Sequence, residues 1–199
     1  PELKELAGLG VELYACNFYQ QLSVNGLIQA IKAKHSSLRA VIHNASDWIP
    51  ESADFEPSDI MAKMMQVHVS VPYQINLALK ELLNSDSEGL TDIIHFTDYV
   101  SDKGSKKHIA YAASKAALSN MTLSFSAMLA PNVKVNSIAP ALVLFNESDD
   151  EDYKKKAIKK ALIEKEGGLQ EVIDAVDYLL SSHYVTGRTM HLDGGRHLK

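Results

Sequence analysis

Asp92-Ile93-Ile94-His95-Phe96-Thr97-Asp98 and Val133-Lys134-Val135-Asn136-Ser137-Ile138 bracket a long helical stretch carrying Ala110-Tyr111-Ala112-Ala113-Ser114-Lys115-Ala116-Ala117, and this segment decides the fold. Two short apolar runs of strand length, joined by a helix expected over 108–129, read as a strand–helix–strand crossover, the connection that makes neighbouring strands parallel. The pattern continues outward. Leu38–His43 is another short apolar run, ending at Asn44-Ala45-Ser46, and Leu9–Phe18 is a further strand candidate. Helices are expected over 22–35 and from Pro57-Ser58-Asp59 to about Leu83, the latter with Ile60, Met64, Val67 and Val71 three or four residues apart and Ser58 as a possible cap. A helix over 168–182 and a strand at Thr189–Leu192 close the chain. Alternating strands and helices imply a doubly wound α/β fold, and no linker, repeat or low-complexity tract divides residues 1–199 into more than one domain. In such sheets ligands gather at the carboxyl ends of the strands, where Asn44, Asp98 and Pro140 all fall.

Composition narrows the chemistry. The 199 residues are 46% hydrophobic and 23% charged, enough apolar material for one sizeable core. A net charge of −5 with only three arginines (Arg39, Arg188, Arg196) argues against a nucleic-acid partner. No apolar run approaches the ~18 residues of a membrane span. The single Cys16 has no internal partner, which suits a reducing compartment and predicts a buried thiol in the cytoplasm. Eight histidines show no metal-ligand spacing, so no metal site is expected. The opening Pro1-Glu2-Leu3-Lys4-Glu5-Leu6-Ala7 is helix-like, with neither initiator Met nor signal peptide, and reads like the middle of a domain.

Tyr111 and Lys115 lie four apart on the expected helix and so share a face, close enough for an ammonium to lower a phenol's pKa from its usual ~10 and make it a proton donor near neutral pH. Spacing alone is weak: Tyr99 and Lys103 repeat it inside the polar stretch Ser101–Lys107, which reads as a loop. Asp98, thirteen residues before Tyr111, gives the first pair its context. A carboxylate beside the phenol would orient its hydroxyl and oppose the effect of Lys115, so the three should titrate together.

Asn44-Ala45 after a strand, Tyr111-x-x-x-Lys115 on a helix, Val135-Asn136-Ser137-Ile138-Ala139-Pro140 and the closing Val185-Thr186-Gly187 with Leu192-Asp193-Gly194-Gly195 resemble the short-chain dehydrogenase/reductase family, in its order and spacing, across essentially the whole chain. The resemblance implies a Rossmann-like oxidoreductase using a nicotinamide dinucleotide. It finds no counterpart here for the family's first strand, Gly-rich turn and second strand. Departures narrow it further. The usual catalytic serine is Asp98, as in pteridine reductases, where an Asp-Tyr-Lys set works on a C=N bond of a pterin and an aromatic residue at the position of Trp48 stacks on it. The usual helix Asn is His68, the adenine-contacting Asp is Asn17, and the Gly after Pro140 is Ala141; with Ile94–Val100 and Asp193–Leu198, His68 points to bacterial reductases of dihydropterins.

By this resemblance Tyr111, Lys115 and Asp98 are catalytic. NADPH is expected against Asn17, Asn44, Ala45, Ser46, Tyr111, Lys115, Pro140 and Val143, and the pterin against Trp48, Ser46, Asp98 and Tyr111. Trp48 reads equally as an ordinary partly buried loop aromatic, and His68 as a core histidine or as the stand-in for the family's Asn, which holds a helix carbonyl and a relay water. The acidic run Glu147–Asp152 followed by Lys154-Lys155-Lys156 reads as a helix start with its dipole complemented, in a region that covers the substrate in the family. The Ala-rich helix permits close packing, and because the family uses this helix in a dimer interface the resemblance implies a homo-oligomer, dimer or tetramer. Two other functions stay open: a general carbonyl or ketoacyl reductase, against which Asp98 counts as a poor donor to a carbonyl oxygen, and a non-catalytic binding protein on the same fold.

Overall fold

The computed structural model describes residues 2–84 and 89–199. In chain order the elements are α1 (Glu2–Gly8), α2 (Gln21–Lys34), β1 (Ala40–His43), α3 (Pro57–Met65), α4 (Val71–Asn84), β2 (Thr91–Phe96), α5 (Val100–Lys103), α6 (Ile109–Leu129), β3 (Val133–Pro140), α7 (Glu151–Ile158), α8 (Leu169–Ser181) and β4 (Thr189–Leu192). The four strands form one parallel sheet in the order β1-β2-β3-β4, with His43 paired to His95 and Phe96 to Ile138 near the carboxyl edge.

Side-chain alternation along β2 sorts the two layers. Ile93 packs with Val133 and Val135 against Leu83, Phe125 and Leu129 of α4 and α6. Ile94 and Ile138 face the other way, onto Ala175 and Leu179 of α8. α2 lies along α4 through Val24, Ile28, Val71, Ile75 and Leu79. Helices on both faces explain why the strands read as continuous apolar runs. At the opposite edge, fully buried Asp92 accepts a hydrogen bond from Arg39 Nη1 at 2.5 Å and forms an ion pair with Lys134 Nζ at 3.0 Å, while Lys134 donates its hydrogen bonds to the carbonyls of Leu179 and Ser182, so the buried charges are compensated.

Several expectations need correction. Leu9–Phe18 is no strand: it is irregular, pairs with nothing among the described residues, and leaves Leu9, Val11, Leu13 and Tyr14 exposed, because apolar composition makes a strand only where a ladder partner exists. Pro57 occupies the first turn of α3 after Glu56, so Ser58 is not the cap; a residue without an N–H suits that position. The expected single helix from Pro57 is divided between α3 and α4 by a π-turn at Gln66–Ser70, which holds His68. The polar stretch after Val100 begins with the one-turn α5. Cys16 is half-buried, its sulfur 3.6 Å from Ser23 Oγ. The acidic run does start a helix: Asp150 caps α7 by accepting from Tyr153 N at 2.7 Å.

Candidate active site

β2 ends at Phe96, and two residues later Asp98 turns back over the sheet edge, its Oδ1 accepting from Val100 N at 2.9 Å. α6 starts at Ile109, so Tyr111 stands in its first turn and Lys115 one turn further along the same face. The Tyr111 hydroxyl donates to Asp98 Oδ2 at 2.8 Å. Lys115 Nζ donates to the Phe96 carbonyl at 2.8 Å and lies 5.6 Å from the centre of the Tyr111 ring. Both α6 side chains are buried.

This geometry reverses one expectation. Burial raises the Tyr111 pKa above the ordinary phenol value, and the Asp98 charge and hydrogen bond raise it further; only the Ser46 hydroxyl pulls it down. The Lys115 ammonium is committed to a carbonyl, so the nearer carboxylate wins and the phenol stays neutral. Burial lowers Lys115 to about 8, against the pull of Asp98. Asp98 is itself held above the ordinary carboxylate value by burial, although Val100 N–H, Tyr111, Lys115 and Arg196 all favour its ionised form.

His68 connects this set to the β1 loop. Asp47 N, which can only donate, lies 3.3 Å from His68 Nε2, and Ser46 Oγ lies 2.8 Å from the same nitrogen. On the other side His68 Nδ1 is 2.8 Å from Ser114 Oγ, whose one proton goes to the Tyr111 carbonyl at 2.7 Å. These bonds are satisfied together by one tautomer, neutral with the proton on Nδ1. Burial, then the Lys115 charge, depresses its pKa to about 3, in keeping with that form. The imidazole also meets the Tyr111 ring edge-on at 5.4 Å. His68 is thus a hydrogen-bonded bridge between the loop after β1 and α6. Ser114, which the sequence reading did not single out, is its second anchor; its place three residues after Tyr111, on the same side of the helix, was the available signal.

The remaining expected residues fall into two groups. Asn17, Ala45 and Ser46 line one open cleft of about 730 Å³ with Cys16, Tyr19, Asp47 and Val67. Asn17 is held by its backbone N–H to Ser23 Oγ at 2.8 Å, and Asp47 takes the Tyr19 hydroxyl on one oxygen and Trp48 N on the other. Asn44 follows β1 directly and borders the adjoining apolar cavity with Ala45 and Val67. Trp48 is 63% exposed, with one face stacked on His108 at 4.1 Å between ring centres, so the other face is open. Pro140 ends β3 and its carbonyl accepts from Tyr99 N at 3.1 Å, beside Asp98. Val143 lies beyond it, lines neither cleft, and its carbonyl accepts from Gly168 N at 2.8 Å. Among the described residues no helix is long and apolar enough to cross a membrane, and no three His, Cys, Asp or Glu side chains gather as a metal site.

A parallel sheet carrying tyrosine and lysine one turn apart on the helix after β2, opposite an acid at the strand end, defines a class. The family profile described as enoyl-(acyl carrier protein) reductase matches residues 1–197, and the chain belongs to the short-chain dehydrogenase/reductase family. Within that family it is similar to the dihydromonapterin reductase of Citrobacter koseri, 51% identical over all 199 residues and 83% of the relative's length, and to that of Escherichia coli K12, 50% identical over the same shares. Among solved structures it superposes with TM-score 0.78 on the FolM alternative dihydrofolate reductase 1 of Brucella canis complexed with NADP, at 25% identity over 88% of this chain and 70% of that one. The Pseudomonas aeruginosa RhlG/NADP complex matches the fold alone, with TM-score 0.82 at 21% identity over 92% of this chain and 75% of that one.

Proposed function

We propose that this protein reduces a dihydropterin with NADPH, taking dihydromonapterin to tetrahydromonapterin and dihydrofolate weakly. The observation that carries the reading is the 2.8 Å hydrogen bond from Tyr111 to Asp98, which replaces the serine–tyrosine pair of a ketone reductase in a chain about half identical to dihydromonapterin reductases. The residues present suit the cofactor. The cleft past Asn17, Ala45 and Ser46 is open, and Lys115 uses one ammonium hydrogen on Phe96, leaving two for ribose hydroxyls. Bound there, NADPH supplies the hydride.

Reduction places hydride on pterin C6 and a proton on N5. Tyr111 and Asp98 hold that proton between them: burial and the Asp98 carboxylate keep the phenol protonated, and burial also raises the proton affinity of the carboxylate, so a proton sits at the reacting atom instead of in solvent. Lys115, charged below about pH 8, supplies the positive potential that favours electron flow toward the substrate. Ser46 lies 2.8 Å from His68 Nε2 on the wall of the cleft, where its hydroxyl oxygen has lone-pair capacity for an N–H edge of a pterin. Trp48 offers its open indole face for stacking. The exposed apolar residues Ile109, Leu123 and Met128 of α6 support assembly as a homodimer or homotetramer, and the unpaired Cys16 supports a cytoplasmic setting.

The test is steady-state turnover of the full-length protein with dihydromonapterin, dihydrobiopterin and dihydrofolate against NADPH and NADH. Dihydromonapterin with NADPH should give the highest kcat/KM. Turnover of simple ketones without turnover of any dihydropterin would overturn the reading.

A further inference from the structure

We propose that a buried chain of four side chains, His43–Asn76–His95–Thr122, sets the axial register of the catalytic helix against the strand ends, making these four positioning residues for the reduction. All four are buried, Asn76 and His95 completely. His43 Nε2 lies 2.7 Å from Asn76 Oδ1, Asn76 Nδ2 lies 3.0 Å from His95 Nε2, and His95 Nδ1 lies 2.9 Å from Thr122 Oγ1. Thr122 Oγ1 donates to the Leu118 carbonyl at 3.2 Å. That last bond fixes the direction of the rest. Thr122 has one proton and spends it on Leu118, so it accepts from His95 Nδ1–H; His95 Nε2 then accepts from Asn76, whose oxygen accepts from His43 Nε2–H. Donors run one way along the chain, both histidines are neutral, and each link polarises the next.

The placement is what gives the chain a role. His43 and His95 are register partners, with their rings 5.3 Å apart. His43 immediately precedes Asn44-Ala45-Ser46, the loop bordering the cofactor cleft, and His95 precedes Phe96, whose carbonyl holds Lys115. Thr122 lies on α6 two turns past Lys115, on the same stripe as Tyr111, Lys115 and Leu118. The helix is therefore tied to β2 at two depths, by Lys115 to Phe96 and by Thr122 to His95, while the core around them is apolar. Apolar contacts tolerate a small slide of a helix, whereas a hydrogen bond holds only over a limited range of distance and weakens steeply as its angle departs from linearity. Fully satisfied buried polar chains specify one arrangement in this way. Two of the eight histidines thus serve as neutral linkers beneath the site.

The inference rests on the reductase reading, so the wild type is assayed first and the variants are assayed with whichever of the dihydropterins and ketones it reduces. Inertness toward dihydropterins alone sinks the reading and leaves this inference testable. Thr122→Val keeps the shape and removes the last link. It should lower kcat about 10- to 100-fold, the cost of an ångström-scale misplacement, with NADPH affinity, read from Trp48 fluorescence, within about twofold of wild type. Thr122→Ser retains the hydroxyl and should restore most of the loss. Asn76→Leu strands two buried partners and should lower Tm; the apolar triple variant His43→Leu/Asn76→Leu/His95→Leu removes them and should regain much of that Tm while kcat stays low. A triple variant, or a folded Thr122→Val, with kcat within twofold of wild type would overturn the proposal and leave the chain a stability feature only.

Discussion

Asp98→Ser removes the carboxylate that distinguishes this site, and the consequences follow from three contacts. The bond from the Tyr111 hydroxyl is 2.8 Å long and ends on a largely buried carboxylate, and a hydrogen bond to a charged group of that kind is worth about 1.5–3 kcal/mol. At 1.36 kcal/mol per tenfold, its loss predicts a fall in kcat/KM for dihydromonapterin of about 10- to 150-fold. The pH profile should move as well. Lys115 is charged below about 8 and loses its proton as pH rises through that value, so the wild-type alkaline limb should fall near pH 8. Asp98 raises both the Lys115 and Tyr111 pKa values; without it both fall, and the limb should shift to lower pH. The assay is a pH–rate profile of wild type and variant with dihydromonapterin, beside a panel of simple ketones, against which the serine should gain activity. Full pterin activity with an unshifted limb would show that Asp98 serves only to hold Val100 N, and the chemistry assigned to the pair would be wrong.

Tyr111→Phe should keep the fold and lower kcat about 10²- to 10⁴-fold, the usual contribution of a positioned acid, while Tyr99→Phe, which retains the ring stacked on Arg196 at 4.1 Å, should be nearly silent. Trp48→Ala should raise KM for dihydropterin about 2- to 12-fold, from a stacking contribution of about 0.5–1.5 kcal/mol, with little change for NADPH; a lowered Tm with unchanged KM would assign the indole to packing on His108. Asp92→Ala leaves Lys134 buried without its counter-charge and should cost about 3–5 kcal/mol in denaturant unfolding, largely recovered in Asp92→Leu/Lys134→Met. His43 has its folded pKa lowered from 6.5 to about 4 by burial, so the unfolded chain binds the proton more readily in that window; of the stability lost as pH falls from 6.5 to 4, about 3 kcal/mol should belong to this residue, and His43→Leu should flatten the pH dependence of the denaturant midpoints by about that amount.

The alternation of apolar runs with helical periods determined the parallel sheet, because strand and helix periods are local properties that a crossover of this length joins in one way. The four-residue offset likewise determined that Tyr111 and Lys115 would share a helix face, while the family resemblance, not spacing, pointed to Asp98 as their neighbour across the strand end. Other features are properties of neighbours. Leu9–Phe18 has strand composition, but a ladder needs a second chain segment, which composition does not name. Whether Lys115 lowers the Tyr111 pKa or Asp98 raises it depends on which charge lies nearer and how much water both have lost, and only the packed site fixes those distances. The two histidine systems show the same divide. His43, His68 and His95 have no recognisable spacing in the chain because their partners Asn76, Ser46, Ser114 and Thr122 come from other elements, and the tertiary fold alone decides which nitrogen carries the proton.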